Sequence, residues 1–385
     1  MNSEHMSEKE ITHLMDELQA DLKGLFPVRE EAATAYLDKL SVLAERVDEE
    51  VLQSSKVSEL IGSCPVEVIT TNHRNHARFM ATVFALNLPS LLVRVIPWAY
   101  RVYTNRGVSL SYFTAECQAW INAVDQELDP AFAEQIRRVY SWMIDHHEDM
   151  KQLSQEIDVF SAQTNDWSEE LNSLLSSLLS GDTQSVQQLA ESEAREVADL
   201  PRLYMDLIQP VMYRIGSLWA DGEVTVAQEH MATAVVSRII AGTYQRLQLF
   251  AQKDHGAKGT AVVSCASKEF HELGARIIAD LMELDGWDVT FMGANIPEED
   301  FHHMVVDKQP DVVALSATVP SHLLNIKRMV NRIREEESLA HTLILAGGQA
   351  LSLAPESAQS LNVDGIAHNG YEAREILAQW QEKDG

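Results

Sequence analysis

The chain has 385 residues, 45% of them hydrophobic, and a formal net charge of −28. That length supports two or three domains, each able to bury a core, and the apolar share is that of a globular protein. A chain this acidic repels phosphate backbones, and no basic cluster offsets the charge, so direct nucleic-acid binding is not expected.

The opening Met1-Asn2-Ser3-Glu4-His5-Met6 is polar and does not read as a signal peptide. Apolar residues then recur at three- and four-residue steps over Ile11–Leu25, Glu30–Gln53, Phe113–Leu128 and Pro130–Gln155, which predicts helices. Breaks fall at Gly62-Ser63-Cys64-Pro65, Asn87-Leu88-Pro89 and Asn105-Arg106-Gly107. The longest apolar run, near Leu88–Pro97, contains Arg94 and is too short to span a bilayer. Residues 1–160 are expected to form one all-helical domain, with Ser161-Ala162-Gln163-Thr164-Asn165-Asp166 as a polar linker. The three cysteines, Cys64, Cys117 and Cys265, are dispersed and form no CxxC, so neither a disulfide framework nor a zinc site is expected, and a cytoplasmic location fits. His146-His147-Glu148-Asp149 is adjacent in sequence, which spreads the side chains about 100° apart on a helix, and reads as a solvated face.

Residues 165–253 read as four helices, divided near Ser180-Gly181-Asp182, Asp199-Leu200-Pro201 and Ala220-Asp221-Gly222. Thr225-x-x-Gln228 is a capping box that starts the last of them. Trp219 stands at a helix end, and Glu229-His230 follow nine residues later in the early turns of the next helix. That spacing brings the three to one mouth of a bundle.

The rhythm changes over residues 257–385. Short β-rich runs occur at Ala261–Cys265, Asp288–Met292, Val312–Ser316, Leu343–Ala346 and Val363–Ala367, with amphipathic helices between them. Strands alternating with helices predict a doubly wound parallel sheet, whose ligands sit at the carboxyl ends of the strands. Glu269-Phe270-His271-Glu272-Leu273-Gly274, Ser316 and Gly347 all fall at such ends. The histidines His302, His303, His322 and His341 read as solvated surface residues.

Forty-one residues separate Gly274 from Ser316, and 28 separate Thr318 from Gly347-Gly348. This resembles the cobalamin-binding signature Asp-x-His-x-x-Gly, Ser-x-Leu and Gly-Gly, with Glu269 in place of Asp and Thr318 in place of Leu. The resemblance implies that the cofactor's own base leaves cobalt and that His271 replaces it as lower ligand. Imidazole suits cobalt, and Glu269 can hold the other ring nitrogen, fixing the tautomer. Gly274, Ser316, Thr318, Gly347 and Gly348 would accommodate the nucleotide tail. The Trp219, Glu229 and His230 pattern resembles the B12-dependent light sensors of the CarH class. That likeness implies adenosylcobalamin as cofactor, with Trp219 covering the adenosyl group, Glu229 bonding its ribose, and His230 taking cobalt as upper ligand after light breaks the cobalt–carbon bond.

In the N-terminal domain, His73-Arg74-Asn75-His76-Ala77-Arg78, Trp98–Tyr103 and Tyr112-Phe113 gather the cations, imidazoles and flat aromatics that a linear tetrapyrrole needs. The layout of helical domain, bundle and B12 domain is similar to the photocobilins, photoreceptors that hold cobalamin and biliverdin. By that resemblance biliverdin is a second chromophore, bound noncovalently, with His73 and His76 as candidate contacts. The fold expected is thus multidomain α and α/β: an all-helical N-terminal domain, a four-helix-bundle cap and a flavodoxin-like sheet. The function expected is regulatory rather than enzymatic, with output through a homo-oligomer or a downstream protein. The alternative is a corrinoid methyl carrier of a methyltransferase system, although a bulky cap and second ligand would obstruct methyl delivery. A radical mutase subunit is disfavoured, because the eight-fold strand–helix series of a barrel is missing.

Overall fold

The computed structural model describes residues 6–156, 167–251 and 258–384. The chain divides into two compact units, Met1–Val159 with Ala220–Gly222, and Phe160–Trp219 with Glu223–Gly385. The linker expected at 161–166 lies outside the described residues.

The first unit is helical: α1 (Glu8–Leu22), α2 (Glu30–Asp38), α3 (Leu40–Leu52), α4 (Val57–Ile61), α5 (Val66–Leu86), α6 (Ser90–Thr104), α7 (Leu110–Glu127), α8 (Pro130–Asp145) and α9 (His147–Glu156). The anticipated breaks hold: Pro65 precedes α5, and Asn87, in the left-handed region at φ 55°, ends it. Two expected helices each arrive as a pair. Lys39 at φ −105° parts α2 from α3, and His146 at φ −99° parts α8 from α9. His146 is held by Asp149 at 2.8 Å and Asp21 at 3.1 Å, and His147 Nδ1 lies 2.8 Å from the Tyr100 hydroxyl. The two histidines are thus tied to neighbouring residues, while Glu148 stays exposed and Asp149 half-exposed, as a solvated face requires. Trp120, Tyr36, Tyr112, Tyr140 and Phe84 are fully buried where α7 packs on α3 and α8, and α5 on α2 and α3. Burial of each such ring contributes about 1.5–3 kcal/mol. Cys64, Cys117 and Cys265 are free and buried.

The second unit begins with α10 (Glu169–Ser180) and α11 (Thr183–Glu193), joined by the left-handed Gly181. The break expected at Asp199-Leu200-Pro201 is absent. A 3₁₀ turn (Val197–Asp199), α12 (Leu200–Arg202), a π-helical segment (Leu203–Ile208) and α13 (Gln209–Ala220) run on without a gap, and the chain breaks earlier, around Ala194. Pro201 is tolerated because it sits in the first turn of α12, where its missing N–H costs nothing. After the turn at 221–225, α14 (Val226–Ala251) starts on the anticipated box: Gln228 N donates to Thr225 Oγ1 at 3.3 Å, and Thr225 N donates to Gln228 Oε1 at 3.0 Å.

Five strands follow: β1 (Thr260–Cys265), β2 (Asp288–Gly293), β3 (Val312–Ser316), β4 (Leu343–Gly347) and β5 (Gly365–Ala367). Between them lie α15 (Leu273–Leu284), α16 (Glu298–Lys308), α17 (Leu323–Arg334), and the short α18 (Gln349–Leu353) and α19 (Ser357–Leu361), with α20 (Gly370–Asp384) last. All strands are parallel in the order β2-β1-β3-β4-β5, the flavodoxin-like doubly wound order. Residues 261–265 of β1 are all buried, as a strand covered on both faces requires. Ile277 and Leu281 of α15 cluster with Leu174, Leu207 and Val236 of the helical stretches, while the strands form a separate core with Ala275, Ala279 and Met282 of the same helix.

Candidate functional site

The register sets the site. Cys265 pairs with Ser316, and Ser316 with Gly347, so the carboxyl ends of β1, β3 and β4 stand in one row. The three distant motifs of the sequence meet there. Past Cys265 the chain turns through Lys268, which adopts φ 66°, and Glu269 N donates to Ala266 O at 3.0 Å. This turn sends the Glu269 side chain inward, where it is 0% exposed.

A buried carboxylate needs partners, and Glu269 has six. Its Oε1 accepts from Phe270 N and His271 N at 3.0 Å each and from His271 Nδ1 at 2.5 Å. Its Oε2 accepts from Thr318 N at 2.8 Å, Val319 N at 3.1 Å and His322 Nδ1 at 3.0 Å. Burial opposes ionisation, yet the hydrogen bonds from His271 and His322 outweigh it and hold this carboxyl well below the usual carboxylate range. An ionised carboxylate only accepts, so Nδ1 of His271 carries a proton, and in the neutral ring Nε2 keeps its lone pair. That is the tautomer a metal ligand needs. The Glu269 hydrogen bond raises the His271 pKa against burial, and the Glu229 carboxylate adds to the effect.

The other motif residues lie around this loop. Ser316 ends β3 half-buried, and Thr318 spends its backbone N–H on Glu269. Gly348 sits at φ 96°, where an added Cβ would come 2.4 Å from the Ala317 carbonyl oxygen; a Cβ on Gly347 would come 2.9 Å from Ala367 O. The glycine pair is thus required by close backbone approach at the strand ends. Gly274, one turn after His271, has nothing within 4 Å of a built Cβ, which leaves space beside the histidine.

The helical part of the unit supplies the remaining residues. Trp219 stands in the last turn of α13 and packs partly buried against the helical core. Glu229 and His230 lie in the first turn of α14. Glu229 is bonded by His230 Nδ1 and by Thr233 Oγ1, the latter at 2.8 Å, and the His230 side chain is 75% exposed. Among the described residues no three His, Cys, Asp or Glu groups gather as a chelate. A single imidazole with a fixed tautomer and open space beside it suits a metal that brings its other ligands in a macrocycle.

In the first unit, His73 is 0% exposed, with Nδ1 2.5 Å from Asp48 and Nε2 2.8 Å from the Tyr112 hydroxyl. His76 stacks on Trp120 at 5.2 Å, and its buried Nε2 has no hydrogen-bond partner. Burial lowers the His76 pKa. Tyr100 and Phe113 stack on each other at 3.8 Å in the core.

Sequence reasoning missed His322. It was expected on the solvated surface, but its side chain is 18% exposed and shares Glu269 with His271. Its position four residues past Thr318, at the start of the helix after β3, was the available signal. Asp280 was missed as well: it is 4% exposed on α15, 2.9 Å from the Tyr204 hydroxyl.

A family model described as B12 binding domain matches residues 259–378, and a second model of the same description matches 170–241. The transcriptional repressor CarH of Myxococcus xanthus is 28% identical over 157 residues, 40% of this chain and 50% of CarH, so the chain spans about half the length of that relative. A corrinoid protein of Desulfitobacterium hafniense is 21% identical over 210 residues, 54% of this chain and 94% of its own length. Among solved structures, the monomethylamine corrinoid protein of Methanosarcina barkeri aligns with a TM-score of 0.47 at 17% identity, over 55% of this chain and 98% of its own. The second unit is a cobalamin-binding module with likeness to CarH. No described helix is long and apolar enough to cross a membrane.

Proposed function

We propose that the chain is a cobalamin-dependent light sensor, in which the bundle of residues 165–253 caps a cofactor carried by the sheet domain of residues 257–385. The observation that carries the reading is the His271 ring past the carboxyl end of β1, its Nδ1 bonded to the buried Glu269, within a stretch that matches a B12 binding domain. Adenosylcobalamin, when bound, supplies an alkyl–cobalt bond that light cleaves. His271 presents Nε2 to the lower face, held by Glu269. Trp219 and Glu229 would cover the bound cofactor from the bundle side, and the exposed His230, one residue on, would be the candidate second ligand. Two packings biased by one bond are what a switch requires.

Residues 1–160 form the second antenna in this reading, holding biliverdin noncovalently. Of the two candidate histidines, His76 keeps a buried nitrogen to offer. The protein acts as a cytoplasmic regulator without direct nucleic-acid contact, and its output passes through a homo-oligomer or a downstream protein. The acidity of the chain supports the exclusion of nucleic acid. One specific observation favours a second reading, a corrinoid methyl carrier: the similarity to the corrinoid protein of D. hafniense spans 94% of that protein.

The test is reconstitution with adenosylcobalamin and biliverdin, with absorption spectra in the dark and after green light. A light-dependent shift of the cobalamin bands together with a long-wavelength bilin band is expected. A cobalamin shift without a bilin band removes the second chromophore. No light response, with methylcobalamin bound instead, moves the protein to the methyl carriers.

A further inference from the structure

Glu269 carries two imidazoles, and only one of them stands on the histidine loop. His271 donates from Nδ1 to Oε1, while His322 donates from Nδ1 to Oε2 at 3.0 Å. His322 ends the 3₁₀ turn Pro320–His322 and leads into α17, so it arrives from the crossover after β3. Thr318 N and Val319 N reach Oε2 from the same segment. One carboxylate thus ties the loop after β1 to the start of the helix after β3.

The glutamate makes this tie necessary. It has one more rotatable bond than the aspartate common at this position, and its last torsion is broad. A carboxylate that rotates no longer aims Oε1 at the His271 ring. The two backbone donors fix where Oε2 lies, and the His322 ring adds the third donor that completes its shell in a fully buried site. The partners of a metal-bound imidazole commonly set its orientation and affinity.

We propose that His322 is a positioning residue for the cobalt ligand, holding Glu269 in the rotamer that orients His271. This rests on the reading of His271 as lower ligand.

The test uses full-length protein labelled uniformly with ¹⁵N and loaded with unlabelled cob(II)alamin, read by electron paramagnetic resonance. Axial ligation by a protein histidine splits the signal into doublets, whereas the cofactor's own ¹⁴N base gives triplets. Wild type is expected to show doublets. His322→Ala should lose a large part of the doublet fraction and bind cobalamin about tenfold more weakly, the low end for partners of a metal-ligating histidine. His322→Asn, which keeps an N–H near the Nδ1 position, should restore both. Melting curves of the apo-proteins separate ligation from folding. Triplets in wild type would sink the lower-ligand reading itself. Doublets in wild type with an unchanged doublet fraction and affinity in His322→Ala would overturn the proposal, and so would an Asn variant that behaves like Ala.

Discussion

Asp280→Asn should stabilise the second unit at neutral and alkaline pH. Asp280 is 4% exposed and stands at the seam between α15 and the helical bundle. Its carboxyl lies 2.9 Å from the Tyr204 hydroxyl, which lies 2.7 Å from Thr243 Oγ1, which lies 2.8 Å from Ile240 O. The Tyr204 hydroxyl donates to Asp280 Oδ2, and Thr243 Oγ1 donates to Ile240 O, but these bonds do not offset the cost of a buried charge. Burial accordingly pushes the Asp280 pKa up from 3.8 to about 7. For a carboxyl raised in this way, its contribution to stability is fully present below the unfolded value of 3.8 and is lost as pH rises through about 7. The gap corresponds to about 4 kcal/mol in full, and to about 2 kcal/mol between pH 5 and pH 7. Asparagine keeps an oxygen that can accept from Tyr204 and carries no charge at any pH. Urea unfolding of wild type and Asp280→Asn at pH 5 and pH 8 reads the difference, since other titrating groups cancel between the two proteins. The advantage of the variant should grow by about 3 kcal/mol from pH 5 to pH 8. Parallel pH dependence in the two proteins would refute the raised pKa.

Other outcomes follow from the site and its supports. Gly348→Ala forces a side chain into φ 96° and against the Ala317 carbonyl, so it should destabilise by about 1–3 kcal/mol or more in thermal melts. Thr225→Ala removes the α14 cap and should cost about 1 kcal/mol in urea unfolding. Glu269→Gln should weaken cobalamin binding about 10–100-fold in a spectrophotometric titration, because the amide cannot accept from every donor around it. His230→Ala should leave dark cobalamin binding intact while shortening the lifetime of the state formed after illumination, followed by its absorption.

The sheet was legible because buried parallel strands carry their signal locally. Val312–Ser316 was placed at its observed ends, and the other four strands within a residue or two, as runs such as Ala261–Cys265 have no other way to be covered. The row formed by His271, Ser316 and Gly347 was legible for the same reason, since strand ends of a doubly wound sheet fall on one edge. Helix boundaries set by tertiary contact were not. The bond from His146 to Asp21 joins residues 125 positions apart, and nothing in the local periodicity announces the break between α8 and α9. Pro201 looked like a stop and was a first-turn residue. The Glu-x-His pair could be read within three residues, but the third member, His322, lies 53 positions from Glu269 and only folding brings it there.

The most direct test compares adenosylcobalamin bound to wild type and to His271→Ala, by absorption in the dark and again after green light. The account predicts a spectrum in wild type that marks a protein histidine beneath cobalt, a lasting change on illumination, and loss of the histidine-bound spectrum in the variant. Identical dark spectra in the two proteins, or a wild-type spectrum indifferent to light, would contradict it.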